Sequence, residues 1–108
     1  MDLDYDEESD SLYINIRQKK AYVSVEFGPG IAIDLTQSKE IVGVEILDAS
    51  VFVSELFSKK VSREQVSKLF CEVSEKKDML GIKFQSADKH YGVLVLPKAY
   101  GSPILSAC

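Results

Sequence analysis

At 108 residues, 45% of them apolar, and with a formal net charge of −4, the chain is sized for one domain with a core and is too apolar for wholesale disorder. No stretch approaches the roughly 20 apolar residues that span a bilayer, and the acidic start MDLDYDEESD lacks the basic and apolar segments of a secretory signal. A cytoplasmic protein with no membrane partner is therefore expected. Two cysteines, Cys71 and Cys108, are too few for a disulfide framework and lack the paired spacing of a zinc site. Cys71 reads as a buried structural thiol.

The negative charge is concentrated at one end. Six acidic residues fall between Asp2 and Asp10, and the remaining chain is close to neutral. Asp2 and Asp4 read as a frayed start. The basic clusters Arg17/Lys19/Lys20 and Lys59/Lys60/Arg63 are not interleaved with aromatics, so they read as solvated loops and no nucleic-acid partner is expected.

Period-two alternation dominates the first half. Leu12, Ile14 and Ile16 form one apolar set. Ala21, Val23, Val25 and Phe27 form a second, Ile31, Ile33 and Leu35 a third, and Val42, Val44 and Ile46 a fourth. Four such strands predict an antiparallel meander with one wet face. A turn at Gly28-Pro29-Gly30 places Val25 opposite Ile33, Ser24 opposite Asp34 and Glu26 opposite Ala32. A turn at Thr36 to Lys39 places Ile33 opposite Val42 and Ala32 opposite Gly43. A turn at Arg17 to Lys20 places Ile14 opposite Val23. All three keep the apolar residues on one side.

Helices should cover that side. Asp48-Ala49-Ser50 supplies capping residues ahead of Val53, Leu56 and Phe57. Ser62-Arg63-Glu64-Gln65 has capping-box form, with Val61 and Val66 placed as a staple. Val66, Leu69, Phe70 and Val73 then fall on one helical stripe, which is the preferred reading. Leu69, Cys71 and Val73 also alternate, and a strand from Leu69 to Glu75 is the alternative. Leu80, Ile82 and Phe84, followed by Tyr91, Val93 and Val95, predict a C-terminal hairpin turning at Ser86 to Lys89. The predicted class is α+β: a four-strand meander, one or two helices and a hairpin within residues 1–97, with 98–108 as a tail.

Two stretches carry a resemblance. Tyr5-Asp6-Glu7-Glu8-Ser9-Asp10-Ser11-Leu12-Tyr13-Ile14 and Ile41-Val42-Gly43-Val44-Glu45-Ile46-Leu47-Asp48-Ala49-Ser50 resemble the opening and ending motifs of a family of short bacterial and archaeal proteins. That family is catalogued as domain of unknown function 2283. Glu26, Gly30 and Asp34 also fall at expected positions, and the likeness covers roughly residues 3 to 50. It implies a β-meander followed by a helix, no established activity, and a structural role for the Asp6 to Asp10 run, by capping or by pairing with a lysine. Small toxin-like proteins accompany some such domains, so a partner-binding role is a further implication. Thr36-Gln37-Ser38-Lys39 departs from the family's acidic, glycine-containing turn, which removes the basis for an acidic ligand loop there.

Motifs for chemistry are sparse. Gly28-Pro29-Gly30 has hairpin rather than phosphate-loop spacing. There is no nucleophile elbow, and His90 is the only histidine, placed in a turn where exposure is ordinary. The predicted wet face gathers Glu26, Asp34 and Glu45, oxygen ligands suited to a hard cation. Ala32 and Gly43 beside Ile41 and Leu47 make a small-residue strip that a second copy could cover. The reading is a non-enzymatic interaction module without a cofactor, working as a homodimer or with a small protein partner. The alternative is a metal-dependent enzyme built on the three carboxylates.

Overall fold

In the computed structural model, which describes residues 2–97, Leu3 and Tyr5 pack against the core, and that burial draws the acidic start into a strand. β1 (Asp2–Asp6) pairs antiparallel with β2 (Ser11–Asn15), setting Leu3 opposite Ile14 and Tyr5 opposite Leu12. Asp2 and Asp4 therefore belong to the sheet and are not a frayed end. β3 (Val23–Glu26), β4 (Ile31–Leu35) and β5 (Ile41–Ile46) complete a five-stranded antiparallel sheet of order β1-β2-β5-β4-β3.

The class is α+β as expected, but β2 pairs with β5 rather than with β3. Ile14 lies opposite Val44, not Val23. The link from β2 to β3 crosses the ends of β5 and β4: the Ile16 and Arg17 amides donate to the Val42 carbonyl, and the Tyr22 amide donates to that of Leu35. This is a Greek-key connection, in which a strand lies beside one distant in the chain.

The β3–β4 register is the expected one, with Val25 opposite Ile33 and Glu26 opposite Ala32. The β4–β5 register differs by two residues, placing Ile33 opposite Val44, Ala32 opposite Glu45 and Asp34 opposite Gly43. A turn from Thr36 to Glu40, with Lys39 at φ 71°, and a bulge at Asp34/Leu35 take up the difference. A shift of two leaves every side chain on its own face, so face-matching alone does not detect it.

α1 (Ala49–Phe57) buries Ala49, Val53 and Phe57 along one stripe. α2 (Arg63–Val66) is a single turn held by the capping box: the Gln65 amide donates to Ser62 Oγ at 3.2 Å and the Ser62 amide to Gln65 Oε1 at 2.9 Å. The expected helical stripe beyond it is a strand instead. β6 (Phe70–Glu75) pairs with β7 (Met79–Gln85), setting Cys71 opposite Phe84 and Val73 opposite Ile82, and Phe70 stands 66% exposed. The strand wins because it turns Cys71 and Val73 inward and gives the backbone a ladder partner.

β8 (Tyr91–Pro97) completes a three-stranded sheet of order β6-β7-β8. Leu80, Ile82 and Phe84 face inward opposite Leu96, Leu94 and Gly92. One buried cluster draws residues from β2, β4, β5, α1, α2, β7 and β8. Phe52 meets Phe84 edge-on at 6.1 Å, and a Cβ on Gly92 would lie 2.5 Å from Leu56 Cγ. The tail of residues 98–108 expected from the sequence lies outside the described residues.

Candidate contact surface

The alternation of β1 to β5 sends polar residues to the outer face of the first sheet. Asp4, Tyr13, Glu45, Ala32 and Glu26 follow one another across it by cross-strand pairing. Asp34 sits among them with both carboxylate oxygens occupied, accepting from Ser24 Oγ at 2.8 Å and from the Tyr13 hydroxyl at 3.0 Å. Burial and this bond push the Tyr13 phenol up to about 12.

Glu26 and Glu45 flank Ala32 on opposite strands, about 10 Å apart at the usual strand spacing. Among the described residues no three His, Cys, Asp or Glu side chains group to hold a metal ion. Of the small-residue strip, Ile41 and Gly43 are buried, Ala32 is half-buried and Leu47 is exposed. The Tyr13 ring occupies the space over Gly43, where a Cβ would lie 2.0 Å from its hydroxyl. That side chain takes the place a second backbone would need.

The acidic turn is built into the fold. Asp10, 3% exposed, accepts from the Ser50 amide at 3.0 Å, Ser50 Oγ at 2.7 Å and the Tyr5 hydroxyl at 2.6 Å. Asp48 adopts a left-handed conformation and makes no side-chain cap, so Asp10 satisfies the start of α1 from across the chain. Arg63 closes the knot, its Nε 3.8 Å from Asp10 and its Nη1 donating to the Glu7 and Glu8 carbonyls. Burial alone would raise the Asp10 carboxyl; the hydrogen bonds from Tyr5 and Ser50, with Arg63, outweigh it and hold the group below its ordinary value. Burial and the Asp10 bond push the Tyr5 phenol well above the usual tyrosine range.

A shallow cleft of about 320 Å³ opens beside Phe57, Val61, Leu69 and Ala87. Its cation Lys59 is bonded to Asp88 at 3.2 Å, and Asp88 also accepts from Ser86 and lies 3.1 Å from His90. Those bonds, Ser86 first, hold the Asp88 carboxyl well below the carboxylate range. His90 is half-exposed, as its turn position predicts. Burial pushes the Cys71 thiol up to about 12, so it stays protonated at neutral pH.

The outer face of the second sheet has a different character. Phe70 is 66% exposed, Tyr91 61%, Val93 46%, Val95 45% and Met79 38%. Cross-strand pairing sets Phe70, Gln85 and Tyr91 in one row, Glu72, Lys83 and Val93 in the next, and Ser74, Gly81 and Val95 in the third. Lys83 lies over the Tyr91 ring at 4.9 Å. Tyr91, Val93 and Val95, expected from their alternation as the hairpin's apolar set, face solvent. Seven residues without a charge give two apolar faces, and only the pairing with β7 decides between them.

Residues 3–50 match a family model described as Protein of unknown function (DUF2283). No curated protein and no solved structure matches the chain. The matched span ends at α1's first turn, and its two motif stretches meet in the knot, Tyr5 and Asp10 from one and Ser50 from the other. The second sheet lies beyond it. Among the described residues no helix is long and apolar enough to cross a membrane.

Proposed function

We propose that the chain is a non-enzymatic protein-interaction module, acting as a homodimer or on a small protein partner, with the outer face of the β6-β7-β8 sheet as its contact surface. One observation carries this reading: Phe70, Met79, Tyr91, Val93 and Val95 share one sheet face and remain exposed. Solvated sheet faces ordinarily alternate to polar residues, and grouped apolar side chains on a surface mark places where something binds. Lys83 among them, half-buried and held over the Tyr91 ring, adds one directional charge to a largely apolar surface.

In-cell photo-cross-linking of the full chain tests this. A photoreactive side chain at position 70, 79 or 91 is expected to give discrete cross-linked species, and the same group at position 24 on the other sheet is expected to give none. Equal labelling at all four positions, or none at any, contradicts the reading.

A further inference from the structure

Among the described residues four strands lie at sheet edges, and they differ in how they discourage pairing. β1 carries Asp4 and Asp6; β3 is four residues long and ends in Glu26; β6 carries Glu72 and Glu75. Charges and short length are the usual guards of an edge. β8, Tyr91 to Pro97, is seven residues long and has no charged side chain. It is the edge without a charged guard, its one proline standing at the end.

Its free backbone groups follow from the turns. In the hairpin between β7 and β8 the Ser86 amide donates to the His90 carbonyl and the Lys89 amide to that of Ser86. With the β7–β8 register, hydrogen-bonded pairs then recur at Phe84/Gly92, Ile82/Leu94 and Leu80/Leu96. The β6–β7 turn, closed by the Lys76 amide on the Met79 carbonyl, gives the same phase independently. Tyr91, Val93, Val95 and Pro97 therefore turn their backbone groups away from β7, and no described strand meets them. Pro97, which lacks an N–H, sits where no donor to β7 is needed.

We infer that β8 pairs antiparallel with β8 of a second copy across a two-fold axis at Leu94, joining two three-stranded sheets into one of six. This rests on the reading of that sheet as a contact surface and places a second copy at its free edge, the outer face remaining open on the paired sheet. In this register Val93 lies opposite the second copy's Val95, Tyr91 opposite Pro97, and Gly92 opposite Leu96. Every free N–H of the edge finds an acceptor: Tyr91 on Pro97, and Val93 and Val95 on each other's carbonyls, twice over by symmetry. No like charges oppose, and glycine meets leucine on the inner side. A single face of three strands and seven residues is roughly 14 by 24 Å, well short of the roughly 800 Å² per partner of a standard interface. Pairing doubles the continuous apolar surface.

Sedimentation of the purified full chain, from micromolar to near-millimolar concentration, tests the pairing. The expected result is a species of doubled mass that grows with concentration. Val93→Pro removes an N–H that β7 does not use and is expected to abolish the dimer, with amide spectra of β6 and β7 reporting an intact sheet. The register has its own check. V93K with V95K sets lysine against lysine in both copies and is expected to weaken the dimer about tenfold, whereas V93K with V95E sets lysine against glutamate and is expected to restore it. A monomer at every concentration, a dimer indifferent to Val93→Pro, or a lysine–glutamate variant no better than the double lysine overturns the inference. Cross-links from position 70 to another protein, found with a chain that sediments only as a monomer, remove the second copy as occupant and leave the interaction reading in place.

Discussion

The two sheets share a core but present opposite outer faces. The first turns Asp4, Asp34, Glu26 and Glu45 outward, covers its one glycine gap with Tyr13, and locks its acidic turn to α1 through Asp10. The second turns Phe70, Tyr91, Val93 and Val95 outward and ends in an uncharged strand. Tyr13, Ser24, Asp34 and Asp10 in the first find partners within the chain, and the exposed apolar groups in the second do not. The difference teaches that cross-strand pairing, more than the composition of a strand, decides which surface is left for others.

The largest effect that could break this contrast lies in the knot. Asp10→Ala leaves the Tyr5 hydroxyl and the first turn of α1 without their acceptor, and it is expected to cost about 3 kcal/mol in urea unfolding. Asp10→Asn keeps some of the acceptors and is expected to cost about half as much. Loss below about 0.5 kcal/mol, the ordinary range for surface changes, would show that the acidic turn is not integral to the first sheet.

How much of this was legible in the sequence divides by range. The Gly28-Pro29-Gly30 hairpin register and the Ser62–Gln65 capping box are local, and both were readable. The β2–β5 pairing was not, because residues 14 and 44 meet only through a long connection. The two-residue shift at β4–β5 was invisible to face-matching, since Ile31 and Ile33 stay inward in either register. Asp10 as the cap of α1 had a signal only in the two motif stretches of the resemblance, which do not by themselves say that they touch. β8 reads Tyr-Gly-Val-Leu-Val-Leu-Pro, apolar on both faces, so its exposed side had no signal of its own.

Glycine substitutions sharpen the comparison at the next level. Gly92→Ala forces a Cβ against Leu56, whose backbone oxygen is 3.2 Å away, and is expected to lower stability by about 2 kcal/mol. Gly43→Ala displaces only the far end of the Tyr13 ring, so it should cost about 1 kcal/mol, chiefly the Tyr13–Asp34 hydrogen bond. Thermal unfolding of the pair orders them; the reverse order would mean that Tyr13 is fixed more firmly than its half-exposed setting implies.

Acid should act on the first sheet before the second. The Asp10 carboxyl is held below its ordinary 3.8, so its contribution is complete above that value and is lost as pH falls through the lower folded value. Tyr5 and Tyr13 are raised above 10.0, so their contributions are complete below pH 10 and decline only in stronger alkali. Unfolding measured between pH 2 and pH 6 is expected to show a loss of stability below about pH 4 that is reduced in Asp10→Asn. An identical acid limb in that variant would assign the loss to other carboxylates. The smallest effect expected is from divalent metal: manganese should broaden no amide at Glu26, Asp34 and Glu45 selectively, and selective broadening there would favour the carboxylate-cluster reading.

Amide hydrogen exchange of the full chain at low and high concentration tests the pairing of the β8 edge most directly. In dilute protein Gly92, Leu94 and Leu96 should exchange slowly through their bonds to β7, with Tyr91, Val93 and Val95 exchanging fast. At high concentration the second trio should become protected while Ser24 and Glu26 on the edge strand β3 do not change. Exchange at Tyr91, Val93 and Val95 that is fast at every concentration would contradict the account.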